Sequence, residues 1–236
     1  MTNADRFIDI YNNIETFLNK GKNIDGSYEG FVKKLRDSKH FIIKQNLEKL
    51  SDYAKLRNVI VHSPRTLNEK IIAQPTDEVV QDFELIYLKI STPIKVIPKF
   101  QFIVDGIDED DKIDCILKTM REKSFSQFPV YDKQGYVKEL ISTNTISRWL
   151  AKNIENGDII IESPKAQDLL SSIEFEKNYK FIPKDCDVYT AYQYFMDQIE
   201  KNNRNLDVLF ITNSGKREEK LLGLITIEDI AAIAQK

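Results

Sequence analysis

Cysteine, histidine and tryptophan are nearly absent from this chain: two, two and one in 236 residues. With Cys115 and Cys186 alone, neither a disulfide framework nor a cysteine-based zinc cluster has support. No run reaches the roughly 18 apolar residues that a membrane span requires. The N-terminal Met-Thr-Asn-Ala-Asp-Arg lacks the apolar core of a signal peptide, so the expectation is a cytoplasmic chain with no membrane contact. Glycine and proline are sparse (8 and 7), which argues against a disordered chain. Phosphate-binding P-loop, kinase and hydrolase-elbow motifs are missing. The acid run Asp108-Glu109-Asp110-Asp111 lacks the alternate spacing and glycine of a calcium loop, so no metal site is expected and a solvated turn before a helix explains it better.

What is present is ordinary globular material, 42% hydrophobic and 30% charged. A net charge of −3 speaks against wholesale nucleic-acid binding. Residues 31–57 nevertheless carry eight Lys or Arg against three Asp or Glu, a local basic stretch that reads first as a solvated helix face.

The first 90 residues read as helices. Phe7, Ile10, Tyr11, Ile14, Phe17 and Leu18 recur at three- and four-residue steps. Gly21 and Gly26-Ser27 mark breaks, a second helix is expected over 28–36, and a third over 41–61 that Pro64 closes. Gln74-Pro75-Thr76 opens a fourth, striped by Val79, Val80, Phe83, Ile86 and Tyr87.

Composition changes after Pro93. Residues 93–102 read as apolar and β-prone, and strands then alternate with helices. Strands are expected at 128–131, 137–141, 206–212 and 221–225, with a turn over Asp132–Gly135. Trp149 is expected to serve packing.

Within this half, Leu221-Leu222-Gly223-Leu224-Ile225-Thr226-Ile227-Glu228-Asp229-Ile230 reads as a buried strand passing through a hydroxyl residue straight into a helix. Such junctions suit phosphates, because the first helical N–H groups lack partners. Asp229 could accept both hydroxyls of a ribose. Thr226-x-x-Asp229 is equally a plain capping box, each side chain satisfying an orphan N–H. A degraded copy stands at Val137-Lys138-Glu139-Leu140-Ile141-Ser142-Thr143-Asn144-Thr145-Ile146, so the module is repeated.

Ser126-Gln127-Phe128-Pro129-Val130 with Asp132, and Gly223-x-x-Thr226-x-x-Asp229-Ile230, resemble the signatures of CBS domains. Over roughly residues 90–236 the chain is similar to a tandem CBS pair, the Bateman module. The resemblance implies an α+β chain: an N-terminal helical bundle (1–90), then two packed βαββα units, residues 91–156 and 157–236. It implies a regulatory sensor of AMP, ADP, ATP or another adenosine compound, with no cofactor, in a homodimer. Thr226 and the helix start would take phosphate and Asp229 the ribose. Phe181, Ile182, Leu206, Asp207 and Val208 would line the purine slot, with Lys180 as counter-charge. In the first copy Glu139 replaces glycine, Ser142 threonine and Thr145 aspartate. A threonine forgoes the charged acceptor, worth about 1.5–3 kcal/mol per hydrogen bond. Phe128, Pro129, Ser142 and Thr145 are therefore expected to form a weaker second site.

Leu56-Arg57-Asn58-Val59-Ile60-Val61-His62-Ser63-Pro64 resembles the arginine, polar residue and histidine signature of HEPN domains. That implies Arg57, Asn58 and His62 as a metal-independent ribonuclease site, with RNA as partner, or else a head that only dimerises or docks a partner protein. Related toxins carry tyrosine where this chain has Pro64. Residues five apart on a helix point about 140° apart, so Arg57 and His62 are not expected to converge within one uninterrupted helix.

Overall fold

A computed structural model describes residues 1–20, 30–62, 73–155, 158–159 and 163–234. The chain divides into two units, Met1–Ile94 and Lys95–Lys236.

The first unit is helical: α1 (Asn3–Asn19), α2 (Phe31–Asp37), α3 (Phe41–Gln45), α4 (Leu47–His62) and α5 (Asp77–Ser91). Thr2 starts α1 with a capping box to Asp5, and the Thr76 hydroxyl accepts the Val79 N–H at the start of α5. Ala4, Phe7, Ile10, Tyr11, Ile14 and Leu18 form the buried face of α1, and Val80, Phe83, Ile86 and Ile90 that of α5. Phe17 is only half-buried. At the centre Phe7, Tyr53 and Phe83 meet edge-on or tilted, with ring centroids 4.8–5.6 Å apart. The single helix expected over 41–61 is two. Asn46 leaves the helical region, and its side-chain amide donates to the Ile42 carbonyl at 2.9 Å, a local bond that competes with the helical ladder. The breaks expected at Gly21, Gly26-Ser27 and Pro64 lie outside the described residues.

In the second unit, residues 93–102 form no strand. They contain a helical turn, α6 (Val96–Lys99), and proline at 98 removes a ladder donor. Then come β1 (Ile107–Asp108), α7 (Ile113–Lys123), β2 (Gln127–Tyr131), β3 (Val137–Ser142) and α8 (Thr143–Asn153). β1 runs parallel to β2, and β2 antiparallel to β3, with Phe128 opposite Ile141. Asp132 accepts the Gln134 and Tyr136 N–H groups, and Gly135 takes φ +80° in the turn between β2 and β3.

A short ribbon, β4 (Ile154–Glu155) with β5 (Asp158–Ile159), and the turn α9 (Ala166–Leu169) lead to a second round of the same order. It comprises β6 (Tyr179–Pro183), α10 (Val188–Asn202), β7 (Val208–Thr212), β8 (Gly223–Ile225) and α11 (Ile227–Ala234). β6 is again parallel to β7, and β7 antiparallel to β8. Asp187 caps α10 by accepting the Tyr189 and Thr190 N–H groups.

Trp149, 1% exposed, packs with Ile116, Phe128, Val130 and Ile141 in the first round's core. Val137 and Leu140 of β3 bury themselves against Val208 and Phe210 of β7, so the two small sheets share one apolar cluster. This shared cluster buries apolar side chains that each sheet would otherwise expose.

Gly223 has a steric reason. The Phe102 N–H donates to the Leu222 carbonyl at 3.1 Å, which brings the Phe100 carbonyl against β8. A Cβ on Gly223 would lie 1.9 Å from that oxygen.

Candidate functional site in the second unit

A cleft of about 270 Å³ opens where β3 turns into α8. From that side Glu139, Leu140, Ser142, Asn144 and Thr145 line it. Ile173, Glu174, Phe175 and Asn178 come from the segment entering β6, and Arg204, Asn205 and Asp207 from the one entering β7. Strand ends and one helix start thus build the wall, a placement favoured for ligands because backbone groups there lack regular partners.

Ser142 caps α8. Its hydroxyl accepts the Thr145 N–H, and the Thr145 hydroxyl accepts the Ser142 N–H, both at 3.3 Å. The two oxygens lie 3.2 Å apart. Glu174 is tied down by Asn144 at 3.1 Å and by Arg148 at 2.5 Å. Asn178, 5% exposed, donates to the Asn205 carbonyl at 2.9 Å and accepts from Gln198.

Arg204 sets its guanidinium carbon 4.3 Å from the centre of the Phe175 ring, and its Nε is buried with no hydrogen-bond partner among the described residues. A buried N–H without an acceptor is costly, so this one is suited to a ligand that brings one. Asp207 remains accessible at the cleft, yet the surrounding walls desolvate its carboxyl and raise its pKa. An Asn178 hydrogen bond and the Arg204 charge oppose that rise.

Glu139 is the most enclosed acid of the cleft, 8% exposed. Its carboxylate accepts the Leu140 N–H at 3.0 Å and the Lys177 N–H at 3.2 Å. Burial raises its pKa against those two bonds. Lys177 has φ +52°, a left-handed conformation that a non-glycine residue holds only when its surroundings enforce it.

The sequence grouped Asp207 with Thr226 and Asp229, and the structure groups it instead with Ser142 and Thr145. Thr226 and Asp229 do not line this cleft. One carboxylate oxygen of Asp229 accepts both the Thr226 N–H and the Thr226 hydroxyl, at 2.8 and 2.9 Å, so the box is closed on itself. Lys180 places its ammonium 3.6 Å above the Tyr194 ring. Phe181 packs on the shared cluster, and Ile182, Leu206 and Val208 are buried. Phe128 and Pro129 lie buried in β2, away from the cleft, because β2 is covered on both faces.

Sequence reasoning missed Arg204, Asn178, Phe175, Glu174, Asn144 and Asn205. Arg204 and Asn205 adjoin the Leu206-Asp207 pair already singled out. Asn144 stands inside the first copy's strand-to-helix junction, between Ser142 and Thr145, whereas Glu174, Phe175 and Asn178 lie in a segment without periodicity.

In the helical unit Arg57 and His62 do converge, contrary to the angular expectation. Both belong to α4, yet an Arg57 Nη1 lies 3.2 Å from His62 Nε2 and 3.3 Å from the Asn58 side-chain oxygen. The long arginine stem spans what the helical angle separates. Guanidinium only donates, so a hydrogen bond here needs Nε2 as its acceptor. The Arg57 guanidinium also lies 5.1 Å from the Tyr11 ring centre.

Comparison with known families places one match within the second unit: the CBS domain model covers residues 104–152, from β1 through α8. Residues 104–152 form a CBS domain. The first strand-to-helix junction of the cleft is therefore part of a CBS domain. No curated protein matched the chain.

Among solved structures, a putative signal-transduction protein with CBS domains from Burkholderia ambifaria is 14% identical, with a TM-score of 0.40 over 57% of this chain and 85% of that one. The CBS domain of a CBS-domain-containing membrane protein from Sphaerobacter thermophilus gives 16%, 0.41, 65% and 95% in the same order. The CBS domain of a bacterial CNNM/CorC family Mg2+ transporter, solved in complex with ATP, gives 14%, 0.44, 66% and 97%. With TM-scores below 0.5, none of the three defines the fold of the whole chain. Among the described residues no helix is long and apolar enough to cross a membrane, and no cluster of three or more His, Cys, Asp or Glu could hold a metal ion.

Proposed function

We propose that the second unit is a tandem CBS pair that senses an adenosine compound in the cleft headed by Ser142 and Thr145. The observation that carries this reading is the meeting, around one cavity of about 270 Å³, of a capped helix start, the unpartnered Nε of Arg204 and the Asp207 carboxylate. Leu140, Ile173 and Phe175 offer apolar surface to a purine, and the Asn178 and Asn205 region offers amide groups to its edge. Asp207 accepts from the ribose hydroxyls in place of the carboxylate that position 145 lacks. Arg204 takes a phosphate oxygen. The repeated strand and helix order from β6 to α11 supports reading residues 157–236 as the second repeat. Paired modules of this kind associate, so a homodimer is the assembly proposed.

Thermal denaturation against AMP, ADP and ATP tests it. A ligand at about 100 times its dissociation constant adds roughly 2.7 kcal/mol, which the midpoint reports directly. No shift with any adenosine compound would remove the sensor reading and leave a scaffold.

A second reading is favoured by the Arg57–His62 contact. It makes the helical unit a HEPN-like ribonuclease head, with His62 moving the proton of the RNA 2′-hydroxyl and Arg57 holding the developing phosphorane charge. Without such activity the head dimerises or docks a partner protein.

A further inference from the structure

The charge around the cleft narrows its ligand further than size does, and this step rests on the adenosine reading above. Among the lining residues Arg204 is the one cation, against the carboxylates of Glu139, Glu174 and Asp207. Glu174 is compensated by Arg148 behind it. Asp207 shares the field of Arg204. Glu139 is different. Among the described residues only backbone N–H groups donate to its carboxylate, its neighbours in charge are Glu176 and Lys177, and its side chain is enclosed. Two neutral N–H donors hold an anion in place without cancelling its charge at longer range, and in an enclosed, poorly screened site that charge acts on anything bound there.

The repeat gives an internal reference. Glu139 stands three residues before the Ser142 cap, as Gly223 stands three before Thr226. At Gly223 the Phe100 carbonyl fills the space a side chain would need. At Glu139 the carboxylate reaches across to the Lys177 N–H instead. The first round therefore carries a carboxylate at a position where the second has glycine.

We infer that this cleft takes an adenosine compound bearing at most one phosphate, in preference to a di- or triphosphate, and that Glu139 sets the preference. One guanidinium balances one phosphate. Each further phosphate adds charge that meets Glu139 and Asp207 with no additional cation among the lining residues. The volume, just under the roughly 300–1,000 Å³ usual for ligand pockets, agrees with a short tail.

Calorimetric titration of the full chain with adenosine, AMP and ATP, the last with and without Mg2+, tests this. AMP should bind at least about tenfold more tightly than ATP in both conditions, a difference of about 1.4 kcal/mol. Glu139→Gln keeps the acceptor for Lys177 and should bring the ratio below about threefold, mainly by strengthening ATP. Glu139→Gly, copying position 223, should act in the same direction, and circular dichroism establishes that each variant is folded. ATP binding as tightly as AMP to the wild type, or an unchanged ratio in both folded variants, overturns the inference. If adenosine, AMP and ATP all fail to bind, the adenosine reading itself falls, and the selectivity with it.

Discussion

The Asp207 backbone N–H donates to the Asn178 carbonyl at 2.9 Å, one residue before β6 pairs with β7. This bond fastens the two entering segments that carry Phe175, Asn178, Arg204 and Asp207 into a single wall. Asn178 adds a second tie through its side chain to Asn205. Asn178→Ala would remove this tie, made by a side chain that is itself 5% exposed. The expected cost is about 1–3 kcal/mol, read as a lower midpoint in urea or thermal unfolding. Wild-type stability in this variant would mean that the wall is not held this way.

Gly223→Ala puts a methyl group into the space of the Phe100 carbonyl. Backbone on both sides must move, and a loss of about 1–3 kcal/mol is expected, the usual range for overpacking. Gly30→Ala meets nothing within 4 Å and serves as the control. Chemical denaturation of the two variants separates them.

The Glu139 carboxyl titrates above its ordinary value because burial disfavours the ionised form. A raised folded-state pKa contributes stability that is full below the unfolded value and is lost as pH rises through the folded one. Glu139→Gln removes the titration while keeping an acceptor. Its melting temperature should match the wild type near pH 4 and exceed it by about 2 °C or more at pH 7–8. A difference that stays constant with pH would contradict the assignment.

For the helical unit, Arg57→Ala and His62→Ala should each abolish RNA cleavage while leaving nucleotide affinity within about twofold, if the ribonuclease reading holds. A cleavage assay on defined single-stranded RNA decides it. No cleavage by the wild-type chain leaves the docking reading.

Much of the architecture was legible from local pattern. The stripe on α1, the Thr76 start of α5, the Asp132–Gly135 turn and the Ser142 junction all follow from side-chain period or capping chemistry. The split at Asn46 was not, because it depends on one amide choosing the Ile42 carbonyl. Residues 93–102 read as β-prone from composition, but tertiary placement and Pro98 gave a helical turn. The site was legible only in halves. Ser142, Thr145 and Asp207 stand out in the sequence, yet nothing local says that Asp207 faces the first junction and not the second. That pairing is set when β3 and β7 bury Leu140 and Phe210 in one cluster. Arg57 and His62 failed a rule about helix angles because the rule concerns Cβ directions, whereas a guanidinium lies several bonds further out.

The most direct measurement compares AMP affinity, by calorimetry, in Asp207→Ala and Asp229→Ala. Asp207→Ala should weaken binding about tenfold or more, the loss of a charged hydrogen-bond acceptor, and Asp229→Ala should change it less than about twofold. The reverse order would place the ligand at the second junction and contradict the cleft described here.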